Sequence, residues 1–122
     1  MTTEATEQKD FVTWFRAKYP AHAKSLRVSQ SGAHRGKGKM AAIRIAKAKG
    51  QGEVKGEADI AILLSKGGFA CLIIEHKGLG QSHSLTEDQQ EYLDYHNSVG
   101  NLAISTRGFN VLTAAVDTFM GM

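Results

Sequence analysis

The feature that most constrains this chain is a pair of apolar runs, Ile60-Ala61-Ile62-Leu63-Leu64 and Phe69-Ala70-Cys71-Leu72-Ile73-Ile74, joined by Ser65-Lys66-Gly67-Gly68. Runs this short and this continuously apolar read as strands covered on both faces, the condition of a sheet inside an α/β core. A link of that length fits a hairpin, so strands over 58–64 and 69–76 are expected to be antiparallel neighbours. Pairing Leu64 with Phe69 sets Asp59 opposite Ile74, within one residue of Glu75.

Around this hairpin the patterning predicts helices over 4–18 and 39–49, from Thr86 toward Val99, and over 109–120. Strands are predicted over 25–30 and 102–105. Phe11, Trp14, Phe15 and Lys18 follow helical spacing, and Glu4 and Glu7 lie in the first turns, where the helix dipole favours acids. Pro20 ends this helix by disfavouring helical geometry in Tyr19. Thr86 with Gln89 three residues later reads as a capping box. Val111, Leu112, Ala115, Val116 and Phe119 form the expected buried side of the last helix. Segments 31–38 and 78–84 read as loops, and the first lacks the spacing of a phosphate-cradling nucleotide loop. With 122 residues the chain supports one core, expected as a single domain over 1–122.

Composition narrows the function. Cys71 is the only cysteine, which leaves no intrachain disulfide and no cysteine-rich zinc cluster. It reads as a buried free thiol, suited to a reducing cytoplasm. The polar start, with Glu4, Glu7 and Asp10, does not read as a signal peptide. No stretch approaches the ~20 apolar residues of a membrane span. Net charge is only +3, but Lys24, Arg27, Arg35, Lys37, Lys39, Arg44, Lys47, Lys49 and Lys55 face a single acid, Glu53, within that stretch. Such a block fits either a polyanionic partner or a solvated basic face. His22, His34, His76, His83 and His96 lack regular ligand spacing and read as surface polar groups.

Glu75-His76-Lys77 closes the second apolar run. Strand alternation points Glu75 and Lys77 to one side and His76 to the other. One reading is an ordinary ion pair at a strand end. The other is a site in which Asp59, Glu75 and the His76 backbone carbonyl hold magnesium, with manganese as substitute. That hard cation asks for oxygen ligands and keeps some of its waters. It would polarise a phosphodiester and acidify a bound water, while Lys77 orients the water or steadies the phosphoryl charge.

The stretches Gly56-Glu57-Ala58-Asp59-Ile60, Ile74-Glu75-His76-Lys77 and Leu85-Thr86-Glu87-Asp88-Gln89 together resemble the VRR-NUC family, a branch of the PD-(D/E)XK nucleases. The resemblance spans roughly residues 4–118 and departs from the family in having Ala58 where proline usually precedes the aspartate. It implies a restriction-endonuclease-like α/β core, a mixed sheet flanked by helices in the order α-β-α-β-β-α-β-α. It implies catalytic roles for Asp59, Glu75 and Lys77, with Gln89 helping to arrange the site and Glu7 as the acid on the first helix, a catalytic residue and a further metal ligand, Glu4 being its rival. It also implies metal-dependent DNA hydrolysis and the homodimers of phage-type members. Arg35, Lys37, Lys39 and Arg44 would track a phosphate backbone. No base-reading element is evident, which favours branched or junction DNA over sequence-specific cutting. A catalytically inactive nucleic-acid-binding module and a protein-interaction domain are the competing readings.

Overall fold

The computed structural model describes residues 3–29, 54–82 and 84–122. The expected loop 31–38, the helix 39–49, the cations Arg35, Lys37, Lys39 and Arg44, and His34 and His83 lie outside these residues. Helix α1 (Glu4–Lys18) opens on Thr3, whose side chain accepts from the Thr6 N–H, and carries Glu4 and Glu7 in its first turn. A 3-10 helix (Pro20–Ser25) leads into β1 (Leu26–Val28). Then come β2 (Ile60–Ile62), β3 (Leu72–Lys77), α2 (Glu87–Ser98), β4 (Leu102–Arg107) and α3 (Phe109–Met120).

The four strands lie in the order β1-β2-β3-β4. β1–β2 and β2–β3 are antiparallel, and β3–β4 is parallel through the α2 crossover, so the sheet is mixed. The hairpin register pairs Ile60 with Ile74 and Ile62 with Leu72. This is one residue away from the pairing predicted from a simple turn, because the turn closes on a Lys66–Phe69 bridge and leaves an extra residue on the β2 side. Extended by one step, the observed register brings Asp59 level with Glu75.

Alternation along the strands separates two cores. Ile60, Ile62, Leu72 and Ile74 pack against Phe11 and Phe15 of α1 and Leu112, Val116, Phe119 and Met120 of α3. On the opposite face Ala58, Ile73 and Ala103 pack against Leu93 of α2. Each fully buried phenylalanine contributes roughly 2–3 kcal/mol through the apolar surface it removes from water. At the outer edge of β4, Asn97 accepts from the Ala103 N–H (2.8 Å) and donates to the Ala103 carbonyl (3.0 Å), blocking further strand pairing there.

Several sequence expectations are corrected. Pro20 starts a 3-10 turn, so the first strand is shorter than 25–30. The hairpin strands are shorter than predicted, and β4 runs two residues further, to Arg107, because its parallel partner β3 continues to Lys77. Val111 is exposed rather than buried. Cys71 is half-buried, just before β3. His76 is no surface group; it is fully buried.

The end of β3 meets the start of α1 at Gly78, where a Cβ would stand 2.5 Å from the Glu4 nitrogen and 2.9 Å from the Thr3 carbonyl carbon. Gly78→Ala is therefore expected to push the first turn of α1 outward and cost about 1–3 kcal/mol. Gly121→Ala is the control, since its Cβ meets nothing nearer than 3.5 Å and its φ is −87°. Thermal denaturation of the two variants should show a clear loss for the first and almost none for the second.

Candidate active site

The two faces of β3 carry two polar clusters. On the α2 face stand Glu75 and Lys77, with Asp59 at the head of β2 beside them. Asp59 Oδ2 accepts the His76 backbone N–H at 2.9 Å. In a strand the N–H and C=O of one residue point to the same side. The His76 carbonyl thus also points past the end of β2, toward Asp59. The Lys77 carbonyl, pointing the other way, accepts from the Gly108 N–H beyond β4 at 3.0 Å.

Glu75 Oε1 accepts from Gln89 Nε2 at 2.9 Å and lies 3.6 Å from Lys77 Nζ. Glu75 Oε2 is buried with no hydrogen-bond partner. Gln89 Oε1 accepts from Lys77 Nζ (3.2 Å) and from the Thr86 N–H (2.9 Å). These partners fix the amide orientation: its oxygen faces two donors and its nitrogen a carboxylate. The predicted capping box is complete, with the Gln89 N–H donating to Thr86 Oγ1. Gln89 therefore caps α2 and spaces Glu75 from Lys77 with the same side chain.

Two acids on this face are hard to ionise. Burial, the neighbouring Glu75 charge and that of Glu4 push the Asp59 carboxyl up to about 8, against the His76 N–H bond, which lowers it. Burial raises Glu75 to about 7, with Lys77 pulling it down and Glu4 adding to the rise. The α1 acid whose charge bears on both is Glu4. Its place in the sequence makes Glu4 only a rival to Glu7; the close approach of its backbone to Gly78 brings this turn of α1 to the strand end.

Glu7 lies in the second cluster, on the α1 face. Its Oε1 sits 2.8 Å from His76 Nε2, and its Oε2 accepts the Leu79 N–H at 2.9 Å. His76 Nδ1 is 2.7 Å from Thr106 Oγ1 on β4. A carboxylate only accepts, so Glu7 takes the hydrogen of His76 Nε2, while Nδ1 and the threonine hydroxyl share the second bond. Glu7, His76 and Thr106 are respectively 1%, 0% and 2% exposed, a depth at which polar groups persist only when bonded.

Among the described residues, no group of three or more His, Cys, Asp and Glu side chains is arranged to hold a metal ion. The donor set nevertheless suits a hard cation. Two carboxylates raised chiefly by burial, with neighbouring acids adding to the rise and one oxygen unpartnered, gain most from an added positive charge. Magnesium is commonly held by one or two carboxylates and keeps several waters.

A mixed sheet with helices on both faces, and with two carboxylates and a lysine at adjoining strand ends, is a restriction-endonuclease-like α/β core. Among solved structures the chain is similar to a VRR_NUC domain protein, with a TM-score of 0.81 and 20% identity over 99% of this chain and 90% of that one. No protein-family model matches the chain, and no curated protein matches it. The resemblance drawn from the motifs thus holds at the level of the fold. Among the described residues, no helix is long and apolar enough to cross a membrane.

Proposed function

We propose that this protein is a metal-dependent nuclease that hydrolyses DNA phosphodiester bonds. The observation that carries the proposal is the pairing of Asp59 and Glu75, both raised well above ordinary carboxylates, beside Lys77 on one face of the sheet. Asp59, Glu75 and the His76 carbonyl would hold a divalent cation, magnesium or in its place manganese, with Glu4 the nearest acid on α1. Bound there, such an ion supplies positive charge to polarise the phosphoryl oxygen and to acidify a water. Lys77 orients the attacking water and offsets charge gathering on the phosphoryl oxygens. Gln89 holds Lys77 and Glu75 at their working separation. The basic stretch with Arg35, Lys37, Lys39 and Arg44 tracks the DNA backbone without reading bases. Branched or junction DNA is the proposed substrate, and a two-fold dimer would match its symmetry.

The test is cleavage of linear, flapped and four-way DNA with magnesium and with chelator. Magnesium-dependent cutting, strongest on branched forms and absent in Asp59→Ala, is expected. Salt-sensitive binding without cutting under magnesium or manganese would instead mark an inactive nucleic-acid-binding module.

The raised carboxyls add a pH dependence. Cation binding requires their ionised forms and so releases protons. Affinity should therefore rise with pH, falling roughly tenfold or more per unit below about pH 7. For the cation-free protein the sign is opposite. A carboxyl with a raised folded-state pKa stabilises the fold at low pH, and that contribution is lost as pH rises from about 4 toward about 8. Calorimetric manganese titrations and thermal midpoints across this range check both slopes.

A further inference from the structure

We propose that Glu7 is a positioning residue that acts through Glu4: by tying α1 to His76 and Leu79, it holds the first turn of α1 so that Glu4 stands against Asp59. The inference rests on the proposed metal-dependent site. A buried carboxylate is costly unless its oxygens are bonded. Those of Glu7 bond to two neighbouring segments: the His76 ring on β3 and the Leu79 N–H in the loop that follows. The ring is in turn fixed to Thr106 on β4, so Glu7 anchors α1 to two strands and a loop. Glu4 precedes Glu7 by three residues, close to one helical turn, and its backbone nitrogen is the atom that approaches Gly78 most closely. A helix held at Glu7 therefore has little freedom at Glu4. Glu4, and not Glu7, is the α1 acid whose charge bears on Asp59, from the turn of the helix that approaches Gly78.

The test is calorimetric manganese affinity of the whole chain in wild type, Glu4→Gln, Glu7→Gln and the double variant, alongside thermal midpoints. Glutamine at position 7 removes the carboxylate charge from both anchors, and its NH2 faces His76 Nε2 without a clash only if the ring moves its proton to Nδ1, so the tie to β3 is weakened. Glu7→Gln is expected to weaken manganese binding about tenfold, in the range for residues that orient ligands. It should add almost nothing once Glu4→Gln is present. Wild-type affinity in Glu7→Gln overturns the proposal, leaving Glu7 a purely structural group. Losses that multiply in the double variant also overturn it, because Glu7 would then act independently of Glu4. If Glu7→Gln does not fold, Glu7→Asp, which keeps the charge but loses reach, carries the same comparison. A wild type that binds no manganese overturns both this proposal and the nuclease assignment; normal wild-type binding with an unaffected Glu7→Gln overturns this one alone.

Discussion

Asp59→Asn is expected to abolish metal-dependent cleavage while making the cation-free protein more stable at mildly alkaline pH. The asparagine oxygen can still accept the His76 N–H that Asp59 now accepts, so the strand end keeps its shape. What disappears is a negative charge that burial, Glu75 and Glu4 all disfavour. With the carboxyl raised to about 8, the folded state at higher pH bears the cost of ionising it, whereas the unfolded chain does not. Removing that cost should raise stability by about 2 kcal/mol, read as a higher thermal midpoint in chelator. Cleavage should fall on the order of a thousandfold or more, since the site loses a carboxylate that attracts the cation. An ordinary structural ion-pair site would show the reverse: lost stability and no activity to lose. Cleavage that persists in a clean preparation of Asp59→Asn would remove Asp59 from the site.

Lys77→Met should cut the cleavage rate roughly a hundredfold to a thousandfold even at saturating cation. Methionine keeps most of the apolar stem and deletes the ammonium, so packing against α2 is largely preserved. Lys77 is the neighbour that pulls the Glu75 carboxyl down, and without it Glu75 rises above about 7. The rising limb of the pH–rate profile should therefore shift to higher pH, and manganese affinity at neutral pH should weaken. This combination separates Lys77 from a residue that merely fills space. A rate within severalfold of wild type, with an unmoved profile, would reduce the Glu75–Lys77 pair to a strand-end ion pair.

Much of this arrangement is legible in local sequence. The strands around Ile60–Ile62 and Leu72–Lys77, the limits of α1 and α3 and the Thr86–Gln89 capping box all follow from short-range patterning. Alternation alone turns Glu75 and Lys77 away from His76. It does not say what awaits His76 on the other face, because Glu7 and Thr106 arrive from α1 and β4, far away in the chain. The same reason hides Glu4. Helical periodicity puts Phe11 and Glu7 on the inward face, which favours Glu7 as the acid of the site. Only the tertiary contact at Gly78 brings the first turn over the strand end, where Glu4 meets Asp59 while Glu7 turns to His76. The register error of one residue is of the same kind, set by a turn closing at Lys66–Phe69 and not by the apolar pattern.

The most direct test is a crystal of the protein soaked in manganese and measured for anomalous scattering. One strong peak is expected among the Asp59 carboxylate, Glu75 Oε2 and the His76 carbonyl oxygen, and it should vanish in Asp59→Asn. No peak under saturating manganese, or one far from these three oxygens, would contradict the placement of catalysis at this strand end.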